Sequence, residues 1–163
     1  MMRVIRSMAE LPFGNLMEIY AQSNFEHGRQ WANEPEERRI ALAEQEFYIY
    51  LRQCFFALPD SRYYLWEEQG RAVSAVRSES YGNDVLLTAL ETAPDCRGKG
   101  YATALLKAVL RYLENGNVYV HIRRNNLASV AVHTRCGFVK VKTGARLLDG
   151  SYAADYDTYL LKL

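Results

Sequence analysis

Apolar side chains follow two rhythms along this chain, and the change from one to the other marks out its elements. Residues 3–7 read as a short strand. Leu16, Met17, Ile19 and Tyr20 then recur at helical spacing and predict a helix over 12–22. Pro12 suits its first turn, where a missing N–H costs little. Ile40, Ala43, Phe47, Tyr50, Leu51 and Cys54 carry the same period through a second helix, 35–56. Acids crowd the start of that helix (Glu34, Glu36, Glu37), as the positive end of a helix dipole favours. Leu58-Pro59-Asp60 ends it.

Beyond this point strand-like runs take over. Residues 63–67, 72–80 and 85–92 read as an antiparallel meander, with turns at Gln69-Gly70 and Gly82-Asn83-Asp84. A helix starts by Tyr101, with Ala102, Leu105, Leu106, Val109, Leu110 and Leu113 on one face, and Asn115-Gly116 closes it. Residues 118–122 form an apolar strand. Asn125 or Asn126 caps a short helix ending near Cys136-Gly137, and 138–142 and 156–161 are closing strands. The order β-(α,α)-βββ-α-β-α-ββ predicts an α/β fold. The connection within 85–122 is long enough to hold a helix, so its two strands should run parallel.

Length and composition narrow the class. A chain of 163 residues, 49% apolar and 24% charged, suits one domain with one core and excludes disordered and collagen-like classes. The net charge of +1 gives no general attraction to nucleic acid or acidic membranes. It is unevenly spread: residues 1–83 hold 9 arginines and 12 acids, net −3, while residues 84–163 hold 11 basic and 7 acidic residues, net +4. The basic half suits a phosphate-bearing ligand. The cluster Arg123, Arg124, Lys140 and Lys142 is too small to indicate nucleic-acid binding.

Three widely spaced cysteines, Cys54, Cys96 and Cys136, argue against a disulfide framework and against a zinc site. The chain shows neither an apolar leader region nor a run of 18 apolar residues, so a cytoplasmic location is the expectation.

Chemistry concentrates in Asp95-Cys96-Arg97-Gly98-Lys99-Gly100-Tyr101-Ala102. A glycine-containing turn opens directly into an amphipathic helix, whose first N–H groups lack intrahelical partners and sit at the positive end of its dipole. Gly98 and Gly100 let a ligand approach the backbone, and Arg97 and Lys99 add charge, together making a phosphate or pyrophosphate site. A Walker A loop is excluded because Gly100 follows Lys99. A dinucleotide fingerprint is disfavoured because Thr103 stands where its third glycine belongs. The plain alternative is a tight strand-to-helix turn with no ligand.

The segment Arg97-Gly98-Lys99-Gly100-Tyr101-Ala102 resembles the R/Q-x-x-G-x-G/A signature of the GNAT (N-acetyltransferase) superfamily, with Pro94 and Leu90-x-Thr92 upstream as is common there. Asn126 to Phe138 is similar to that family's N-x-x-[AS]-x-x-x-Y-x-x-x-G-F segment. The resemblance covers residues 84–141 in detail. It implies a single acetyltransferase domain, 1–163, with an acceptor-side half (1–83) and a CoA-binding half (84–163). The fold it implies is a mostly antiparallel splayed sheet of about seven strands flanked by about four helices.

The resemblance also implies acetyl-CoA as co-substrate, with no metal. The backbone of Arg97, Gly98, Lys99, Gly100, Tyr101 and Ala102 would hold the CoA pyrophosphate, and that of Leu90, Glu91 and Thr92 would pair with the pantetheine arm. Asn126 and Ser129 would line the CoA side of the short helix. Where the family commonly has a tyrosine acid, this chain has His133, which shares a helix face with 126 and 129 and becomes the candidate general acid. Asp84 and Glu91 are weighed as bases without assignment. The expected reaction is acetyl transfer to a primary amine by direct attack in a ternary complex. The alternative is an acyl-CoA-binding sensor or interaction module with little catalysis. The oligomeric state stays open, with a homodimer suggested by analogy with the family's frequent dimers.

Overall fold

The computed structural model describes residues 1–163. Seven strands, β1 (Met2–Ile5), β2 (Arg62–Glu68), β3 (Arg71–Tyr81), β4 (Asp84–Thr92), β5 (Asn117–Arg123), β6 (Val139–Arg146) and β7 (Tyr152–Lys162), join in one sheet ordered β1-β2-β3-β4-β5-β7-β6. Every neighbouring pair is antiparallel except β4 and β5. That parallel pair flanks the crossover helix α4 (Tyr101–Leu113), as its connection length demands. The other helices are α1 (Phe13–Ile19), α2 (Ala21–His27), α3 (Glu36–Tyr50) and α5 (Leu127–Arg135). No helix is long and apolar enough to cross a membrane.

Successive residues of one strand serve opposite cores. On β2, Tyr63 and Leu65 pack with Ile5, Leu16, Ile19, Leu51 and Phe55, whereas Tyr64 packs with Leu105, Leu106, Val109 and Phe138. Ala75 and Val76 divide in the same way on β3. The period-two alternation of strand side chains thus feeds one layer of helices on each face: α1 to α3 on the first, α4 and α5 on the second. Leu105, Leu106 and Val109 are fully buried, and each such side chain stabilises the fold by about 1.5–3 kcal/mol of removed apolar surface.

The helical apolar pattern is interrupted in two places. The expected helix over 12–22 breaks at Tyr20, and the chain restarts as α2, which gives five helices rather than about four. Tyr20 is 4% exposed and its hydroxyl donates to the carbonyl of Ala89 across the sheet at 2.5 Å, so the chain turns where this side chain enters the core. The second helix ends as α3 at Tyr50 and continues as a π-turn, Leu51–Phe55. Its wider turn brings both Leu51 and Phe55 into the core.

Candidate active site

The site begins where the sheet opens. β4 and β5 pair only over Val85–Leu87 and Val118–Val120, although β4 runs on to Thr92 and β5 to Arg123. The divergence coincides with a bulge. The β3–β4 register passes from Ala75↔Glu91 to Arg77↔Thr88, so two β4 residues, Ala89 and Leu90, oppose Val76 alone. Ala89 accordingly adopts φ 53°, a left-handed conformation that costs a residue with a Cβ on the order of 1 kcal/mol. The Tyr20 hydroxyl holds its carbonyl. Past the bulge the β5-facing edge of β4 has no strand partner, and a cleft passes between the strands. Thr88, Ala89, Leu90, His121, Ile122, Ser129 and His133 are among its lining residues.

The glycine turn follows directly after β4. Gly98 and Gly100 have φ 75° and 83°, and a Cβ at either would meet nothing within 4 Å. Glycine is therefore required here by conformation, and the space beside the backbone stays open. No backbone carbonyl accepts from the N–H groups of residues 97–100, and residues 101–103 form the first turn of α4, so these amides are free donors at the positive helix end. The donor set fits a pyrophosphate. The Arg97 side chain turns elsewhere: its Nε donates to the Thr92 carbonyl at 3.2 Å and its Nη1 to Gln22 Oε1 at 2.7 Å. Arg97 thus ties the end of β4 to α2, leaving its backbone to the turn.

On the α4–α5 face, Asn126 caps α5 by accepting from the Ser129 N–H at 3.1 Å. The cap fixes Ser129, whose carbonyl accepts from His133 Nδ1 at 2.8 Å. His133 is 3% exposed and sits edge-on to Phe138, with ring centroids 5.4 Å apart. Burial depresses its pKa, and the Ser129 carbonyl offsets this only in part. At rest His133 is therefore a neutral imidazole with its proton on Nδ1, and Nε2 carries the lone pair. It can protonate a leaving group only after Nε2 has itself gained a proton.

The opposite face supplies residues that sequence reasoning passed over. His121 lines the same cleft from β5. The Thr158 hydroxyl donates to the Gly144 carbonyl at 2.8 Å, so it can only accept from His121 Nδ1, 3.3 Å away. This arrangement leaves His121 Nε2 as a lone pair, buried and without a partner. Burial depresses this pKa also. Two neutral imidazoles therefore border one cleft from its two sides. The available signal was the alternation in Val118-Tyr119-Val120-His121-Ile122, which places a polar, titratable residue among core positions.

Glu91 points to the α1–α3 face, where Ser23 donates to its carboxylate. Desolvation raises its pKa above the ordinary carboxylate value. Asp84 starts β4 as the partner of Tyr81, away from the cleft. Cys96 is buried, Cys54 is exposed, and burial raises the pKa of Cys136.

Comparison with known proteins places this geometry. A model of the acetyltransferase (GNAT) family matches residues 16–138. An N-alpha-acetyltransferase of Saccharolobus solfataricus is 33% identical over 84 residues, which span 49% of this chain and 46% of that relative, so the likeness reaches about half of its length. Among solved structures, the PaiA N-acetyltransferase of Thermoplasma acidophilum in complex with coenzyme A superposes with TM-score 0.64 at 12% identity, covering 100% of this chain and 99% of that one. The ribosomal-protein-S18-alanine N-acetyltransferase of Escherichia coli gives TM-score 0.59 at 15% identity, covering 99% and 94%. A family match across most of the chain, two linked motifs and a sheet that opens beside a free-amide turn agree: the chain belongs to the acetyltransferase (GNAT) family.

Proposed function

We propose that the chain transfers an acetyl group from acetyl-CoA to a primary amine by direct attack within a ternary complex. The observation that carries this reading is the cleft between β4 and β5, with His121 and His133 on its walls and the free amides of residues 97–103 in the turn that follows β4. The backbone from Arg97 to Ala102 would hold the pyrophosphate, and the open edge of Leu90 to Thr92 would pair with the pantetheine arm. Ser129 and the Asn126 cap would support that side.

The amine nitrogen forms the new C–N bond to the acetyl carbon. The C–S bond breaks and its electron pair stays on sulfur. One proton must leave nitrogen and one must reach sulfur. His121, on the acceptor side, takes the first on Nε2. His133, on the CoA side, delivers the second after its Nε2 has taken a proton from water in the cleft, and His121 returns its proton to water at the end of the cycle. The depressed pKa of His133 makes its protonated form a strong acid.

The test is release of free CoA thiol when the protein is mixed with acetyl-CoA and amines, beside calorimetric titration with acetyl-CoA. Binding together with amine-dependent thiol release supports transfer. Binding without release for any amine favours the acyl-CoA-binding module, a reading to which the resting neutrality of His133 lends weight. Absence of binding removes the CoA reading altogether.

A further inference from the structure

On the α1–α3 face, one strand from the cleft wall, lies a cation that makes no salt bridge. Arg77 on β3 is the register partner of Thr88, which lines the cleft. Its guanidinium carbon sits 5.9 Å from the Phe47 ring centroid, 5.2 Å from that of Tyr50 and 5.5 Å from that of Phe55. The π-turn after α3 supplies the last of these rings. Nε and Nη1 are buried without a hydrogen bond, and so is the neighbouring hydroxyl of Tyr63. Neither nearby carboxylate makes a salt bridge with Arg77: Glu79 accepts from Thr88 Oγ1 at 3.1 Å and acts on Arg77 only through its charge, and Glu91 accepts from Ser23.

Ring faces stabilise a cation but do not satisfy its N–H groups. A buried donor left unpaired costs about 1–3 kcal/mol, and a buried charge persists where a complementary group meets it. The complement of a guanidinium is an oxyanion, above all a carboxylate. Neighbouring strands lie about 4.8 Å apart, so a group held at Arg77 and an amine in the cleft beside Thr88 would belong to one short molecule, as the carboxylate and α-amine of a free amino acid do. The same fixed charge repels polyamines and disfavours the ammonium form of a bound amine, which must be neutral to attack.

We propose that Arg77 receives the carboxylate of a free amino acid whose α-amine is acetylated in the cleft. The proposal rests on the acetyl-transfer reading above, and Arg77 acts in it as a specificity residue.

The test compares acceptors that differ only at the carboxylate. Tyrosine is set against tyramine and tyrosinamide, and methionine against 3-(methylthio)propylamine and methioninamide, each with acetyl-CoA and the full chain. The expected result is kcat/KM at least about ten-fold higher for the free acids. Arg77→Met should abolish that preference by raising KM for the acids, and Arg77→Lys should keep part of it, with acetyl-CoA Kd unchanged in both. Should Arg77→Met melt early, the Arg77→Lys variant and the wild-type acceptor series carry the test. Equal or better use of the decarboxylated amines, the amides or spermidine overturns the amino-acid proposal while leaving acetyl transfer standing. A protein that binds acetyl-CoA yet acetylates no amine overturns both.

Discussion

The two sides of the cleft are made of different material. The α4–α5 side offers backbone: free amides after a glycine turn, an unpaired strand edge and a capped short helix. The α1–α3 side offers side chains gathered from distant parts of the chain, among them Tyr20, Ser23, Tyr50, Arg77, Glu91 and His121. A ligand common to a whole family is met by backbone geometry, which many sequences can produce. An acceptor particular to one protein is met by side chains, which can change without disturbing the frame.

Substitutions can break that contrast. The largest effect is expected on the α1–α3 side, where His121→Ala should lower kcat/KM by roughly 10²–10³, with acetyl-CoA affinity retained in calorimetry. His133→Ala on the other side should lower kcat by about 10- to 100-fold. Full kcat across pH 6–9 in that variant would remove His133 from the chemistry. Gly100→Val attacks the backbone side. It should weaken acetyl-CoA binding by at least about ten-fold, while the left-handed φ of 83° costs stability on the order of 1–2 kcal/mol. Denaturant melts separate the two effects.

A smaller effect sharpens the comparison through pH. Both buried histidines have pKa values depressed below the ordinary histidine range. The unfolded chain therefore binds more protons than the folded one as pH falls below about 6.5. The stability due to their neutral burial is complete above that pH and is lost as pH falls toward the folded values. His133→Asn should flatten this acid limb of melting temperature against pH more than His121→Asn does, because His133 is the more deeply buried of the two. An unchanged limb in both variants would place its origin in other groups.

The contrast also explains what could be read in advance. The glycine turn, α4, the parallel crossover and the Asn126 cap arise from contiguous residues, and each was legible because local chemistry specifies local backbone. The apolar periods located every strand. They missed the break of the first helix at Tyr20 and the change of the second into a π-turn over Leu51–Phe55, where Tyr20 and Phe55 answer to the core rather than to helical continuity. Glu91 was weighed as a base, but only the fold showed its contact with Ser23, 68 positions away in sequence. His121 and Arg77 drew no notice because one histidine or arginine in a strand looks like any other until its neighbours are known.

By itself, then, the sequence determined the order of elements, the two core-facing periods and the glycine turn, since these depend on residues within a few positions of one another. Only the tertiary structure decided where β4 and β5 part, which face each histidine takes and that Arg77 lies under three rings without a salt bridge. Those outcomes depend on register and on packing between segments far apart in the chain, where a shift of one residue would turn every side chain to the other face.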